Sequence, residues 1–213
     1  DEAPNAAQWS ALAYVQVRDL ESGFASVPLG RATVAPALFQ RVPATGVGLR
    51  GEVRPLVGGA HPLRLGADWR RTVGRTDEEY SFVGGVASRS RVAGGSSDVA
   101  GLFAEWTGGD VAADGLMWTV SGRVDHWQLG EGYRRERRID GVPTATDVDA
   151  RFATRSGWEG SGRAGVRWKS GDIALRGAAY RGWRLPTLNE LYRPFRVGAD
   201  TTFANEMLVP ERL

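Results

Sequence analysis

The chain has 213 residues, a formal net charge of +2, 29 glycines and no cysteine. Without cysteine there are no disulfides or cysteine-ligated metals, and the absence of any run of about eighteen apolar residues excludes a transmembrane helix. The basic residues are nearly all arginine and are scattered along the chain, which argues against a nucleic-acid surface. No secretory-signal pattern opens the sequence, so a membrane role would have to use strands.

Apolar and polar residues alternate with a period of two along most of the chain, which is the pattern of strands with one buried face. This alternation predicts strands at about 8–18, 45–56, 62–75, 97–107, 115–129, 158–169 and 171–183. In chain order, the apolar faces carry Trp9 and Val15, Leu49 and Val53, Leu65 and Trp69, Leu102 and Trp106, Trp118 and Val124, Val166 and Trp168, and Ile173 and Leu175. The opposite faces carry charges of both signs: Arg50, Glu52, Arg54, Arg64, Asp68, Arg70, Arg123, Asp125, Arg163, Arg167, Asp172 and Arg176.

The predicted connections alternate between short and long. Short links fall at 57–61, 108–114 and 169–171, and long ones at 19–44, 76–96, 130–157 and after 184. A transmembrane barrel shows this alternation because tight turns lie at its periplasmic rim and long loops at its outer rim. The predicted strand lengths also match the roughly 9 to 11 residues that a tilted strand needs to cross the hydrocarbon layer. The predicted fold is therefore all-β: part of an antiparallel up-and-down transmembrane β-barrel, with open edges.

The tryptophans give an independent indication, because their rings concentrate where hydrocarbon meets lipid headgroups. Trp127 shares the parity of Arg123 and Asp125 and is predicted to face the lumen. The remaining tryptophans lie on the apolar parity of their strands: Trp9, Trp69, Trp106, Trp118, Trp158, Trp168 and Trp183. A soluble β-sandwich with these rings in its core is the alternative. The charged opposite faces favour the barrel, since in a wet lumen such charges pair across neighbouring strands.

The last segment of the chain carries a family resemblance. Tyr180–Leu213 reads YRGWRLPTLNELYRPFRVGADTTFANEMLVPERL. It resembles the stretch of TonB-dependent receptors in which an APTLNELY-like run is followed, after a loop, by an N-P-x-L-x-P-E element that opens the next strand. Leu185–Tyr192 match the first element and Asn205–Glu211 the second, with Glu206 in place of the usual proline. Leu63–Thr76 and Ala100–Trp106 also resemble barrel strands of that family.

The resemblance implies a barrel of about 22 strands that encloses an N-terminal plug and is preceded by a short segment that contacts TonB. Neither part is recognisable in the sequence, so residues 1–213 are predicted to be a partial barrel domain without its plug. Both sheet edges would then be unpaired, which is an aggregation hazard. We therefore expect a partner polypeptide, the remainder of a longer gene product, or an experimental truncation.

The resemblance also implies a function, namely uptake of a scarce nutrient across the bacterial outer membrane with energy supplied by TonB. The nutrient classes it implies are ferric siderophores, cobalamin and glycans. The expected partners are outer-membrane lipid and lipopolysaccharide, TonB through the missing plug region, and a small-molecule nutrient. No nucleic acid is expected. The alternatives are an outer-membrane barrel enzyme with catalytic groups at its rim, and a soluble β-sandwich binding module.

Prolines interrupt the terminal segment and predict a loop at the barrel rim, because Pro186, Pro194 and Pro210 lack amide donors for a strand ladder. Thr187–Tyr192 fits either one helical turn capped by Thr187 or an irregular loop. Rim loops of a transporter meet the ligand first. The predicted substrate contacts in this loop combine aromatic rings and cations: Tyr192, Arg193, Phe195 and Arg196.

A dense run of charge, Arg134, Arg135, Arg137 and Arg138 around Glu136, falls inside the predicted outer loop 130–157. Three interpretations remain open: a solvated loop, contact with lipopolysaccharide phosphates, or attraction of an anionic substrate. The last two suit the planar donors of arginine. Arg134 and Arg135 are therefore included among the predicted substrate contacts.

Other motifs predict no cofactor, metal or catalytic centre. GSGRAG at 160–165 matches the G-x-G-x-x-G consensus of dinucleotide-binding sites, but the strand pattern continues where that motif needs a helix. His61 and His126 fall in a predicted turn and a predicted strand and lack the spacing of a metal site. No pattern of residues favours catalysis, although Ser, His and Asp groups meet only in a folded chain.

Overall fold

A computed structural model describes residues 6–27, 30–31, 33–57, 62–109, 115–197 and 200–213, with the backbone alone at 196, 197, 200 and 201. The main strands, given in chain order, form one antiparallel sheet: β1 (Gln8–Ser26), β2 (Ala35–Arg54), β3 (Leu63–Val83), β4 (Val86–Gly108), β5 (Gly115–Arg138), β6 (Val148–Arg151), β7 (Arg155–Ser170) and β8 (Ile173–Arg181). The order is β1-β2-β3-β4-β5-β7-β8, with β6 also beside β5. Within the described ranges the sheet does not close. The prediction of a partial up-and-down barrel is confirmed.

The terminal segment adds smaller elements. Helix α1 spans Leu188–Tyr192, β10 (Phe195–Val197) pairs with β11 (Asp200–Thr202), and β9 (Trp183–Arg184) pairs with β12 (Glu211–Arg212). Gly182 and Leu213 extend the β9–β12 pairing by one residue on each strand, because the backbone amide of each donates to the carbonyl of the other. Residues 211–213 therefore pair as a short strand, where the sequence element predicts one.

The seven predicted strands exist, but their outer ends were placed wrongly. β3 and β4 contain 21 and 23 residues, and a tight turn at Gly84 and Gly85 joins them where a loop over 76–96 was predicted. The φ angles of these glycines, 60° and 82°, suit a two-residue hairpin turn with left-handed central residues. Period-two patterning needs one apolar face, whereas strand pairing needs only backbone groups. The ladders therefore continue past the point where the pattern stops.

The predicted loop 130–157 is also largely strand. β5 continues to Arg138 and β6 pairs beside it, so Arg134 and Arg135 lie in β5 and not in a loop. The prediction of long connections on one side of the sheet is wrong for the same reason. On that side the hairpins themselves extend outward.

One face of the sheet is covered by the terminal segment and will be called the inner face. The other, the outer face, is bare and carries many exposed apolar side chains. Exposed side chains on the outer face include Trp9, Val15, Leu49, Leu102, Trp106, Leu116, Val120, Trp158 and Leu175. A soluble β-sandwich would bury this face against a second sheet, whereas an exposed apolar surface of this extent is typical of an interaction site such as one for a membrane. Among the described residues, no helix has the length and apolar character needed to cross a bilayer.

Two tryptophans test the predicted parity. Trp127 is 6% exposed and packs on the inner face, as predicted. Trp183 was predicted to face lipid, but its indole Nε1 donates to Asp125 Oδ2 on the inner face over 3.1 Å. β8 ends at Arg181 and Gly182 separates it from β9, so the alternation of β8 does not extend to Trp183.

Candidate functional site on the inner wall

The inner face carries a network of ion pairs across strands. Arg64 on β3 lies 2.9 Å from Glu52 on β2 and 3.6 Å from Glu105 on β4. Glu105 also pairs with Arg163 on β7. Because each acid pairs with arginine on another strand, the charges crosslink the wall. The predicted face with charges of both signs is confirmed.

Arg123 is the centre of a partly buried section of this network. Its Nη2 donates to Asp68 Oδ1 over 2.8 Å, and its Nε donates to Asp125 Oδ1 over 2.7 Å. Asp125 is 1% exposed and also accepts the indole bond from Trp183. A buried carboxylate requires such partners, since burying an unpaired charge is very costly. The two aspartates therefore fix the guanidinium and the start of the terminal segment at one point.

Helix α1 packs on the inner face of β3, β4 and β5. Its N-cap is Thr187, whose Oγ1 accepts from the Glu190 amide over 3.3 Å, while the Glu190 carboxylate accepts from the Thr187 amide over 2.6 Å. This reciprocal capping box satisfies amides that a short helix otherwise leaves free. Thr76 on β3 adds a bond to Asn189 of 3.2 Å. The capped helical turn, one of the two predicted alternatives, is the one that forms.

Tyr192 fills a slot in the wall formed by two glycines. A Cβ at Gly132 would lie 2.5 Å from Tyr192 Cζ, and one at Gly95 would lie 2.9 Å from its Cε2. The ring stacks on Phe152 with centroids 5.0 Å apart. Tyr192 is 3% exposed and the adjacent Leu191 is fully buried. Only glycine at both wall positions lets the ring approach the backbone so closely.

Arg193 continues this attachment beyond the helix. Its Nε donates to Glu78 Oε1 over 2.7 Å, and its Nη2 donates to Gln40 Oε1 over 2.7 Å. The guanidinium lies 6.0 Å from the ring centroid of Phe195, which is partly exposed. The structure therefore brings Tyr192, Arg193 and Phe195 together. Arg196 lies in β10, and its side chain is outside the described part.

Arg134 and Arg135, adjacent in β5, lie on opposite faces of the sheet. Arg134 shares the inner face with Glu136, whose carboxylate accepts from Tyr80 over 2.8 Å and pairs with Arg134 over 3.6 Å. Arg135 pairs with Asp149 on the outer face over 3.3 Å. The structure thus separates two residues that the sequence grouped.

Sequence reasoning missed several residues that shape this region: Glu78, Gly95, Gly132 and Phe152. Glycine clusters at 94–95 and 130–132 are visible in the sequence, but small residues on a barrel wall carry no sign of what will lie against them. Their partner, Tyr192, is more than fifty positions away from Gly132 in the chain. The slot exists only in the folded wall.

His126 takes no part in the inner network of the described residues. His126 stacks on Trp158 with centroids 4.8 Å apart, and His61 lies outside the described residues. In the part of the chain that the structure describes, no group of three or more His, Cys, Asp or Glu side chains is arranged to hold a metal. GSGRAG lies within β7, as its continuing alternation predicts.

Comparison with known families decides the identity of the wall. The family described as TonB dependent receptor-like, beta-barrel matches residues 8–212. The chain belongs to this family. TonB-dependent receptors are a family of outer-membrane proteins, with which a bare apolar face on one side of the wall and a charged face on the other agree.

Two further comparisons give less. No curated protein matches the chain. Among solved structures, a chain of the hemophore receptor HasR of Serratia marcescens, a double mutant in complex with its hemophore HasA and heme, is similar with a TM-score of 0.46 and 16% identity. That similarity covers 97% of this chain and 40% of the HasR chain. The chain therefore spans well under half the length of that receptor.

The receptor wall and its terminal segment enclose an open cleft of about 940 Å³. Its lining includes Arg50, Asp68, Arg70, Asp125, Trp183 and Asn189. Cationic and anionic groups thus line the cleft together, with α1 along one side. This is the candidate site for contacts made inside the lumen.

The capping box of α1 predicts a pH dependence. The amide of Thr187, with Arg184 next in effect, holds the pKa of Glu190 below its ordinary value. The resulting stabilisation is therefore present above the ordinary carboxyl range and is lost as pH falls through the lowered pKa. We expect protection of the Leu191 amide from hydrogen exchange, corrected for its intrinsic rate, to fall on acidification.

The matched control is Glu190→Gln, which keeps the capping geometry but cannot titrate. Its Leu191 protection should be flat across the same acidic range. Equal acid sensitivity in both proteins would show that another group controls the segment.

Proposed function

We propose that this receptor takes up a scarce nutrient across the bacterial outer membrane, with energy supplied by TonB. The observation that carries the proposal is the family match over nearly the whole chain, together with a wet, charged inner wall beside a lipid-facing outer wall. The proposed nutrient classes are ferric siderophores, cobalamin and glycans. The proposed activity needs no covalent chemistry from this chain.

The remaining partners are also proposals. A plug domain, absent from residues 1–213, would gate the lumen and carry the contact with TonB, and it would dock on the inner charges. Outer-membrane lipid and lipopolysaccharide would surround the outer face. Support for the docking comes from Arg50 and Arg70, which line the open cleft and are exposed.

The predicted substrate contacts fall into different proposed roles. Tyr192 is buried and Arg193 is bonded to Glu78, so we assign both to positioning the rim segment. Phe195 is partly exposed and Arg134 faces inward, so these two are proposed to touch the nutrient. The role of Arg196 stays a prediction. Arg135 faces outward and is proposed to make no contact with the nutrient.

Uptake by cells that express the complete receptor tests this function. Radiolabelled cobalamin, ferric siderophores and glycans are supplied to cells with and without TonB. At least one probe is expected to accumulate only when both receptor and TonB are present. Failure of every probe class, or accumulation that is independent of TonB, would contradict active uptake.

The inward face of β5 gives a sharper prediction. Arg134→Gln should weaken the apparent affinity for the transported probe about tenfold, the usual worth of one charge-assisted hydrogen bond. Arg135→Gln is the matched control, because it removes the same charge from the opposite face of the same strand. Equal effects of the two changes on uptake would show that Arg134 has no direct contact with the nutrient.

A further inference from the structure

The open cleft beside the terminal segment is lined by more arginines than acids. It lies between the inner face of the wall and residues 182–189 of that segment. The arginines in its lining are Arg18, Arg50, Arg70, Arg75, Arg123 and Arg184. The acids in its lining are Asp68 and Asp125. An anion inside the cleft therefore meets guanidinium groups on several sides.

Acids of the same chain neutralise most of this positive charge. Arg123 donates hydrogen bonds to both lining acids, Asp68 and Asp125. Other lining arginines pair with acids outside the lining, namely Arg75 with Asp77 at 3.0 Å, Arg184 with Glu211 at 2.7 Å and Arg50 with Glu52 at 3.2 Å. These pairs leave Arg18 and Arg70 as the lining arginines without an acid partner among the described residues.

Arg70 is the clearer of these two cases, because the strands on both sides of it are described. Its side chain is exposed, and its ladder partners are Gly48 on β2 and Val99 on β4, which carry no charge. Asp68 lies two positions away on the same face, but both of its carboxylate oxygens accept from Arg123. The guanidinium donors of Arg70 are therefore available to an anion in the cleft.

Arg18 supplies a second cation on β1. It is exposed and stands opposite Ala44 on β2, which in turn stands opposite Gly74 on β3. Arg70 thus lies two strands away and four residues lower. At about 3.3 Å per residue and about 4.8 Å per strand, the two Cα atoms are roughly 16 Å apart. Two cations at this spacing suit a ligand that carries negative charge at more than one point.

The floor of the cleft between these two arginines is low. The inward-facing residues there are small: Ala44, Gly46, Gly48, Thr72 and Gly74. A Cβ at Gly46 would meet nothing within 4 Å, whereas one at Gly48 would collide with the ring of Tyr14. The ring of Tyr14 therefore lies over Gly48, at one side of this floor. It offers an apolar face to the body of a ligand whose charges the arginines hold.

Arg70 lies at the level where the outer face of β3 changes from apolar to charged. On that face the exposed ring of Trp69 is followed by Arg71, which pairs with Asp98 over 3.2 Å. Tryptophan rings mark the headgroup level of a membrane, and a charge pair is costly in hydrocarbon. β3 continues beyond this level to Val83. A molecule that arrives from the side of the long hairpins therefore reaches Arg70 before the deeper part of the lumen.

We propose that this cleft selects nutrients that carry more than one negative charge, and that Arg70 determines the preference. Arginine presents planar paired donors that fit carboxylate and catecholate oxygens. The inference rests on the proposed function and narrows it. Of the nutrient classes given above, the cleft admits anionic ferric chelates and acidic glycans, and it excludes cobalamin and neutral glycans. The plug is the competing occupant, and its docking predicts a different effect of substitution at Arg70.

The first test measures binding to cells that express the complete receptor but lack TonB, so that binding does not depend on uptake. Labelled probes are supplied in pairs that differ mainly in charge. A ferric catecholate, which is an anion, is compared with a neutral ferric hydroxamate, and a uronic-acid oligosaccharide with a neutral one of the same length. In at least one pair the anionic member should bind about a hundredfold more tightly, the usual worth of two charge-assisted hydrogen bonds. Cyanocobalamin, which has no net charge, should not bind.

The second test compares variants that differ in which face of the wall they change. Arg70→Gln should weaken binding of the anionic probe about tenfold, whereas Arg71→Gln, which removes the same charge from the outer face, should not. Gly46→Leu should abolish binding by filling the floor of the cleft. Its matched control is Gly51→Leu, which places the same side chain on the outer face of the same strand, where a Cβ also meets nothing within 4 Å. An unchanged shift between folded and unfolded gel mobility shows that each variant is folded.

Several results would overturn the proposal: binding of neither anionic probe, equal binding within both pairs, binding of cyanocobalamin, or equal affinity of Arg70→Gln and the wild type. If Arg70 anchored the plug instead, Arg70→Gln would let a small neutral dye enter through the lumen and would change the binding of both members of a pair equally. That outcome would also overturn the proposal. Anion binding without TonB-dependent accumulation would contradict uptake and leave the selectivity of the cleft standing. TonB-dependent accumulation of a neutral probe would do the reverse.

Discussion

Replacing Tyr192 by alanine is expected to loosen the terminal segment from the wall by about 3 kcal/mol, the usual cost of deleting a buried aromatic ring. The ring is 3% exposed, stacks on Phe152 and fills the slot formed by Gly95 and Gly132. Because the helix is short, it depends on this packing for its stability. Hydrogen exchange at the Leu191 amide, which bonds to the Thr187 carbonyl, should become roughly a hundredfold faster.

A matched control for this prediction is Tyr180→Ala, because Tyr180 is 76% exposed. That change should leave exchange at Leu191 unaltered. Gly132→Ala should also loosen the segment, because the added Cβ would lie 2.5 Å from Tyr192 Cζ and keep the ring out of its slot. Adding Gly132→Ala to Tyr192→Ala should then cost little more, because the clash is absent. Fully additive effects would contradict the slot.

The second large effect is expected at Arg123. Arg123→Ala leaves Asp125, which is 1% exposed, and Asp68 without their shared cation. Breaking a buried pair by removing one partner costs about 3 to 5 kcal/mol. We expect the lower end of that range, since part of the guanidinium reaches the wet lumen. The free energy of unfolding of the refolded receptor in urea, followed by tryptophan fluorescence, measures the loss.

Arg163→Ala is the matched control for Arg123. Its side chain is 62% exposed and pairs with Glu105, so its removal should cost less than about 1 kcal/mol. Restoring neutrality with Asp125→Asn should recover part of the stability lost in Arg123→Ala. If Arg123→Ala were no more destabilising than Arg163→Ala, the aspartates would not depend on this guanidinium.

The sequence predicts the spanning part of each strand well, because lipid on one side and water on the other impose a period of two. Leu116, Val120 and Val124 alternate with Ser121 and Arg123, and the structure places the two sets on opposite faces. Outside the bilayer that constraint ends. Residues 76–96 therefore show no alternation, although backbone pairing carries β3 and β4 onward to their turn.

The Gly84–Gly85 pair carried a usable signal, since two glycines between valines are typical of a two-residue hairpin. The β-bulge between β4 and β5 gave no such signal in the sequence. The register of β4 and β5 shifts between Gly94 and Ser96, and Glu131 has a φ of 54°. A bulge adds one residue to one strand and reverses its parity. For this reason the residues of β5 that face inward have odd numbers near Arg123 but even numbers near Arg134. The alternation of the sequence alone could not show this change.

The candidate site was predictable in outline only. The PTLNELY run indicated a rim element, and Thr187–Tyr192 fitted either a helical turn capped by Thr187 or an irregular loop. The sequence did not show that Tyr192 enters the wall, because its glycine slot is assembled from β4 and β5. Nor did it show that Arg134 and Arg135 face opposite compartments. Both depend on contacts between strands that lie far apart in the chain.

The most direct test of the wall uses single cysteines along β5, which is possible because the chain has no cysteine of its own. Positions 120, 121, 123 and 124 are labelled with a fluorophore in the receptor reconstituted into vesicles. We expect a lipid-dissolved quencher to quench the fluorophore at positions 120 and 124, and an aqueous quencher to quench it at positions 121 and 123. Protection of both sets from both quenchers would mean a closed, dry core on each side of the sheet and would contradict the barrel wall.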